Sequence, residues 1–166
     1  MPLWLLLVIL TVLFLFARWF VGVGIGAPYL PLRRVFIEDG LALARLSSTD
    51  VVVDLGSGDG RLLEAAAERG AHVIGYELNP FLVWYARRRL RRFGERAIVY
   101  RRNMMQADLT NVTVILLFQM THVMPELSRL FKERLTKNAR IVSFVFELPG
   151  FSVEEERGVA RLYRAE

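Results

Sequence analysis

The stretch Asp54-Leu55-Gly56-Ser57-Gly58-Asp59-Gly60 lies where the pattern of the chain changes. Before it, Val51–Leu55 is a continuous apolar run, the mark of a strand buried on both faces. After it, Arg61–Arg69 has a helical pattern closed by Gly70. Between a buried strand and a helix, glycines permit a tight turn and let a ligand approach the backbone closely. The unpaired N–H groups at the start of the helix favour a carboxylate or another anionic group. Asp54, Gly56, Ser57, Gly58, Asp59 and Gly60 are therefore candidate cofactor-binding residues. Taken alone, such a loop also reads as a structural turn in any α/β protein. Glu77 argues against the turn alone. It ends the next strand pattern, His72–Glu77, at the spacing where dinucleotide-type folds place the acid that accepts ribose hydroxyls. The glycines run G-x-G-x-G, where a NAD site has G-x-G-x-x-G, and Asp54 stands two residues before the first. No G-x-x-x-x-G-K-S/T run occurs, which excludes a standard NTPase phosphate loop.

Outward from the loop, strand and helix patterns alternate, as in βα units on a parallel sheet. Pro31 opens a helix to about Leu46, with Val35 and Leu41 turned inward. Asn79 caps a helix that has Pro80 at its first position and Gly94 after its end. Ala97–Arg101, Val112–Phe118 and Arg140–Phe146 read as strands, and Pro125–Leu135 as a helix. The tail, Phe151–Arg164, has room for a short hairpin or one strand. Phe81, Trp84 and Tyr85 read as core or near-core residues of their helix. The fold expected is α/β, a Rossmann-like sheet with helices on both faces. Three parts follow: an apolar segment over 1–25, a linker and lead-in helix over 26–48, and a ligand-binding domain over 49–166.

The 166 residues carry a net charge of +5 and no cysteine. Disulfides, thiolate metal sites and cysteine nucleophiles are thereby excluded. His72 and His122 lie far apart and lack ligand spacing, so no metal site is expected. Leu3–Ala17 carries no charge, and past Arg18 the apolar run continues with Trp19, Phe20, Val21 and Val23. A single transmembrane helix is expected from about Leu3 to about Val23, with Arg18 snorkelling and Trp19 at the interface. A cleaved signal peptide would want a basic start, and a mitochondrial presequence an arginine-rich amphipathic one; the segment has neither. A buried core helix would show a polar face. Arg18, Arg33, Arg34 and Arg45 all follow the span, which puts the remaining domain on the cytoplasmic side, or in the matrix of a mitochondrion.

The D-x-G-x-G-x-G form is that of class I methyltransferases, which use S-adenosylmethionine (SAM). A second run is more specific. Gly75-Tyr76-Glu77-Leu78-Asn79-Pro80-Phe81-Leu82-Val83-Trp84-Tyr85 resembles the G-Y-E-L-N-P-W-L-V stretch of one methyltransferase family. That family contains the lysine methyltransferases of the adenine nucleotide translocase and of the ATP synthase c-subunit, and is similar to small archaeal protein-lysine methyltransferases. Ala27-Pro28-Tyr29-Leu30-Pro31, the glycine loop through Arg61, Ala139-Arg140-Ile141-Val142 and Pro149 fit the same family in order, from residue 27 to about 151. The resemblance implies SAM as cofactor and a lysine amine as acceptor, on a membrane-associated protein. It also implies that Tyr29, Phe118, Gln119 and His122 border the acceptor channel. Where the family has an acidic residue, often followed by Leu-Trp, this chain has Asn103-Met104-Met105; Asn103 would accept from the adenine amino group and Met104 would cover the ring. Where the family often has a Phe-Gly-x-Pro-type run, it has Phe118-Gln119-Met120-Thr121-His122.

Arg87, Arg88, Arg89, Arg91, Arg92 and Arg96 crowd one helix. A solvated face is one reading. Contact with anionic lipid through Arg87, Arg88, Arg91 and Arg92 is the other, while nucleic acid is not expected because no aromatic-basic interleaving appears. His122 is a candidate base or a packing residue, and no catalytic residue is assigned. Two alternatives remain: methylation of a lipid-soluble small molecule or RNA, and a non-catalytic membrane-bound SAM-binding scaffold.

Overall fold

The computed structural model describes the backbone of residues 2–21 and 29–165, and the side chains of 2–17 and 29–165. Two compact units divide between Leu30 and Pro31. The first holds helix α1, Leu3–Val21. Its apolar side chains from Leu3 to Phe16 are largely exposed. Among the described residues no helix is long and apolar enough to cross a membrane, so a transmembrane span is not supported. The described side chains of α1 stop at Ala17. The charge-free stretch from Leu3 to Ala17 makes a helix of about 22 Å, against a hydrocarbon core of about 30 Å. The expected continuation to Val23, and most of the linker, lie outside the described residues.

The second unit is a three-layer α/β domain. Its elements are α2 (Arg34–Ala44), β1 (Val51–Leu55), α3 (Arg61–Glu68), β2 (His72–Glu77), α4 (Pro80–Leu90), β3 (Ala97–Arg101), β4 (Val114–Leu117), α5 (Met124–Arg134), β5 (Arg140–Phe144), β6 (Val153–Arg157) and β7 (Ala160–Arg164). The seven strands lie in the order β3-β2-β1-β4-β5-β7-β6, with β1 to β5 parallel. The tail forms the hairpin, and β7 slots antiparallel between β5 and β6. The order reverses between β1 and β4, which opens a crevice at their carboxyl ends, the place where open α/β sheets bind ligands.

Alternation along each strand sorts the core into two layers. Val114, Leu116, Val142 and Phe144 face the side covered by α2, α3 and α4, where Leu41, Leu63, Ala66 and Val83 meet them. Ile115, Leu117, Ile141 and Tyr163 face the other side, under Leu127 and Phe131 of α5. That side is thinly covered near the edge. Between β3 and β4 the chain makes only a 3₁₀ turn, Met104–Gln106, so Ile98 and Tyr100 stay exposed.

The lead-in helix is part of this domain. Ile37, Leu41, Leu43 and Ala44 are buried, and α2 packs on β5, β6 and β7. A Cβ on Gly40 would come within 2.2 Å of the Phe144 ring. Arg140 reaches back from β5 to donate to the carbonyls of Ala44 and Arg45 and to pair with Asp50. Both sheet edges are guarded by arginine contacts. On β3, Arg87 donates to the Val99 carbonyl at 2.7 and 3.0 Å. On β6, Glu154 pairs with Arg164, Glu156 with Arg161, and Arg157 with Asp39.

The buried face of α4 is Val83, Ala86 and Leu90. Trp84 and Tyr85 are not core residues: they are 62% and 49% exposed. The apolar pattern misleads here because consecutive residues on a helix point about 100° apart, so Val83 inward sends Trp84 outward.

Candidate active site

Leu55 ends β1, and the chain turns at once onto its neighbour. The amides of Gly56 and Ser57 both donate to the Tyr76 carbonyl, at 2.8 and 3.0 Å. Gly56, Gly58 and Gly60 have φ of 84°, 54° and 78°, the left-handed region where a Cβ is costly. Two of them also face close neighbours. A Cβ on Gly56 would sit 2.0 Å from Nε2 of Gln119, and one on Gly60 would sit 2.9 Å from Cβ of Ala86. Gly60 thus serves the contact between α3 and α4.

Glu77, the last residue of β2, ties three pieces of backbone together. Its Oε2 accepts from Gly58 N–H at 3.0 Å, and its Oε1 accepts from the amides of Leu78 and Asn79 at 2.8 Å each. Asn79 then caps α4 by accepting from Phe81 N–H at 3.0 Å, with Pro80 following at the first helical position.

Two more carboxyls lie beside this loop and differ in charge environment. Asp54 is 4% exposed, and its carboxyl is pushed up to about 8, first by burial and then by the nearby charges of Glu77 and Asp59. Burial pushes Asp59 up as well, but hydrogen bonds from Arg61 and the charges of Arg89 and Arg61 win and hold it below the usual carboxylate range. Its Oδ2 lies 2.9 Å from each of the two guanidinium groups. Among the described residues no group of histidines and carboxylates is arranged to hold a metal ion.

The profile of the ANTKMT methyltransferase domain family matches residues 54–155. The chain belongs to this family. It is 35% identical over 126 residues to the ATP synthase c-subunit lysine N-methyltransferase of Xenopus laevis, covering 75% of this chain and 55% of that protein. It is 30% identical over 132 residues to a protein-lysine N-methyltransferase of Saccharolobus islandicus, covering 77% of this chain and 82% of the relative. Among solved structures, an RNA methyltransferase from Salinibacter ruber, crystallised with S-adenosyl-L-homocysteine, superposes with a TM-score of 0.75 at 29% identity, over 82% of this chain and 92% of that one. The chain spans about half the length of the vertebrate c-subunit methyltransferases it matches.

Within this ANTKMT-family domain, the other residues singled out from the sequence divide into three groups. Gln119 follows β4 and belongs with the loop. It is 8% exposed, and its Nε2 donates to the Leu55 carbonyl at 2.6 Å, which closes the crevice between β1 and β4. Ser57 Oγ is buried beside Gly75, with no hydrogen-bond partner among the described residues. A second group borders Glu77. Asn103 lies next to Arg102, whose amide donates to the Glu77 carbonyl at 3.2 Å, so the loop after β3 borders the same acid. Asn103 Oδ1 caps the Met104–Gln106 turn by accepting from Met105 N–H at 3.0 Å, and Met104 packs half-buried against the layer that holds Tyr76. The third group is the remaining candidates for the acceptor side. Phe118 is half-buried against the layer under α2 to α4. His122 is exposed in the turn ahead of α5. Tyr29 is an exposed residue of the first unit.

Asp59, expected at the cofactor loop, has its carboxylate engaged by Arg61 and Arg89. Arg61 and Arg89 are the residues whose role at the loop the sequence did not give. Arg61 follows the loop directly and carries a local signal. Arg89 sits 30 residues away and carries none. Of the arginines expected to meet lipid, Arg87 is engaged by the edge of β3, and Arg92 by Glu64 and Glu68.

Proposed function

We propose that this chain is a SAM-dependent protein-lysine N-methyltransferase acting on a membrane-associated protein. The observation that carries the reading is the environment of the glycine loop. Two carboxyl groups, Asp54 and Glu77, stand at the carboxyl ends of neighbouring strands, and neither pairs with an arginine among the described residues. SAM fits this set. It carries an α-ammonium and a sulfonium, either of which offsets the unfavourable charge at Asp54, and a ribose whose hydroxyls suit Glu77. A carboxylate offers about four acceptor sites, and three amides already use Glu77. Binding both hydroxyls therefore asks one amide to yield, and Gly58 N–H is the one supplied by the loop.

SAM supplies an electrophilic methyl group carried on its sulfonium. The chain's own residues bind, orient and exclude water. Gly56, Ser57 and Gly58 hold the methionine portion, Glu77 the ribose, and Asn103 and Met104 the adenine. Phe118 and Gln119 border the acceptor side. A lysine reacts only as the neutral amine, and its free pKa is about 10.4. An apolar lining lowers it by disfavouring the ammonium. No base is assigned to this step, since His122 is exposed in its turn, and positioning with desolvation supplies most of the effect.

Helix α1 supports the membrane half of the proposal. Its exposed apolar side chains suit a lipid phase, and a domain tethered there meets membrane substrates at high effective concentration. The arginines that follow α1 favour the cytoplasmic or matrix side. A second reading, transfer to RNA, is supported by the likeness to the Salinibacter ruber enzyme. One experiment separates them. The protein, and a form lacking residues 1–30, are incubated with methyl-labelled SAM and with host membranes or host soluble extract. Alkali-stable methyl-lysine on a membrane protein, formed much more slowly without α1, is the expected result. Label confined to ribonuclease-sensitive material, lipid or soluble protein would overturn the acceptor assignment while leaving the SAM site intact.

A further inference from the structure

The arginines of α4 and the turn after it fall into two sets. Arg87, Arg89, Arg92 and Arg96 are engaged inside the domain, by Val99, by Asp59 and Glu64, by Glu64 and Glu68, and by Gly70. Arg88 and Arg91 are exposed, and neither has a partner among the described residues. They share a stripe with Trp84. Positions 84, 88 and 91 are four and seven residues apart, one face of a helix, and the backbone stays helical at Arg91 with φ −52° and ψ −34°. The stripe lies opposite Val83, Ala86 and Leu90, which face the core.

Trp84, 62% exposed, puts a large amphipathic ring on this face. Tryptophan beside two unpaired arginines matches the boundary of a bilayer. The indole sits at headgroup depth and the guanidinium groups bind phosphate and carboxylate oxygens. We propose that the Trp84–Arg88–Arg91 stripe docks the methyltransferase domain on an anionic lipid surface. The stripe is about 10 Å long, a span of a few headgroups, and too short for a track along a nucleic-acid backbone. The proposal deepens the membrane-associated reading of α1 but uses a different element, and the two can fail separately.

The test uses the full chain with anionic and neutral nanodiscs. A Trp4→Phe, Trp19→Phe variant leaves Trp84 as the only tryptophan, and a Trp19→Phe, Trp84→Phe variant leaves Trp4 to report on α1. Discs contain phosphatidylcholine alone or with about a third phosphatidylserine, with brominated acyl chains as quencher. Trp84 emission should shift to the blue and be quenched in anionic discs, and much less in neutral ones. Arg88→Glu with Arg91→Glu should weaken that response by roughly 30-fold or more in lipid concentration, from about fivefold per cation. Arg134→Glu with Lys137→Glu, the same charge change on exposed residues of another face, should leave it unchanged. Quenching of Trp4 with water-like emission from Trp84 in both discs would overturn the stripe and spare α1. Equal loss in both charge variants, or a Trp84 response to an RNA oligonucleotide and none to lipid, would also overturn it.

Discussion

The carboxylate of Glu77 accepts the amide of Gly58 at 3.0 Å across nineteen residues of chain, so the acid proposed to bind the ribose also holds the glycine loop in place. Removing it should cost twice, through the lost acceptor and through a looser loop. Glu77→Ala should weaken S-adenosylhomocysteine binding by ~1.5–3 kcal/mol, roughly 10- to 150-fold, read by calorimetry. An unchanged affinity would place the cofactor elsewhere.

Gln119 does for the crevice what Glu77 does for the loop. Its amide satisfies a carbonyl at the end of β1 that would otherwise be buried without a donor. Gln119→Leu keeps much of the volume and removes the donor, which should destabilise the domain by ~1–3 kcal/mol in urea unfolding. Gln119→Glu should be no better, because a carboxylate cannot donate to Leu55.

Asp54 gives the site a pH dependence whose sign can be worked out. Its folded pKa is raised, from an ordinary 3.8 to about 8. The stability it contributes is therefore fully present below the unfolded value and is lost as pH rises towards 8. Relative to Asp54→Asn, the parent should lose melting temperature progressively between pH 5 and 8 and level off above. Binding of a ligand ammonium favours the ionised carboxyl, so S-adenosylhomocysteine should bind more tightly as pH rises from 6 to 8, with proton release visible as a buffer-dependent heat. Asp54→Asn should show no such release; an identical profile in both would remove Asp54 from the site.

Two glycines with positive φ separate backbone strain from packing. Gly94 has φ 58° and ψ −134°, a conformation open almost only to glycine, and nothing within 4 Å of a Cβ, so Gly94→Ala meets backbone strain alone, about 1–3 kcal/mol. Gly60 has φ 78° and ψ 9°, the left-handed region, and faces Ala86, so Gly60→Ala should cost the left-handed penalty of about 1–2 kcal/mol and ~1–3 kcal/mol more by overpacking. Urea midpoints of the two variants measure the difference. Equal losses would show that α4 can step away from α3.

Much of the domain was legible because its signals are local. The apolar run of β1, the three glycines and the Asn79-Pro80 cap each act within a few residues, and the boundaries of β1, β2 and β3 coincide with those the pattern gives. What escaped depends on chain that is distant in sequence. Gln119 meets Leu55 across 64 residues, and Arg89 meets Asp59 across 30. Nothing near Trp84 says that its helix turns it away from the sheet. The insertion of β7 between β5 and β6 follows from hairpin pairing with two different neighbours, which no single segment encodes.

The seat of α2 has a consequence for biosynthesis. Its buried face rests on β5 and β7, and Asp39 is paired with Arg157, 118 residues downstream. At about 5–20 residues per second, that much chain takes roughly 6 to 24 s to emerge from a ribosome. For that interval Ile37, Leu41 and Ala44 have no sheet to cover them. A nascent chain in this state, with the apolar α1 just ahead of α2, is a client for whatever shields hydrophobic segments at the exit tunnel. Slowing translation before residue 140 should lengthen that dependence.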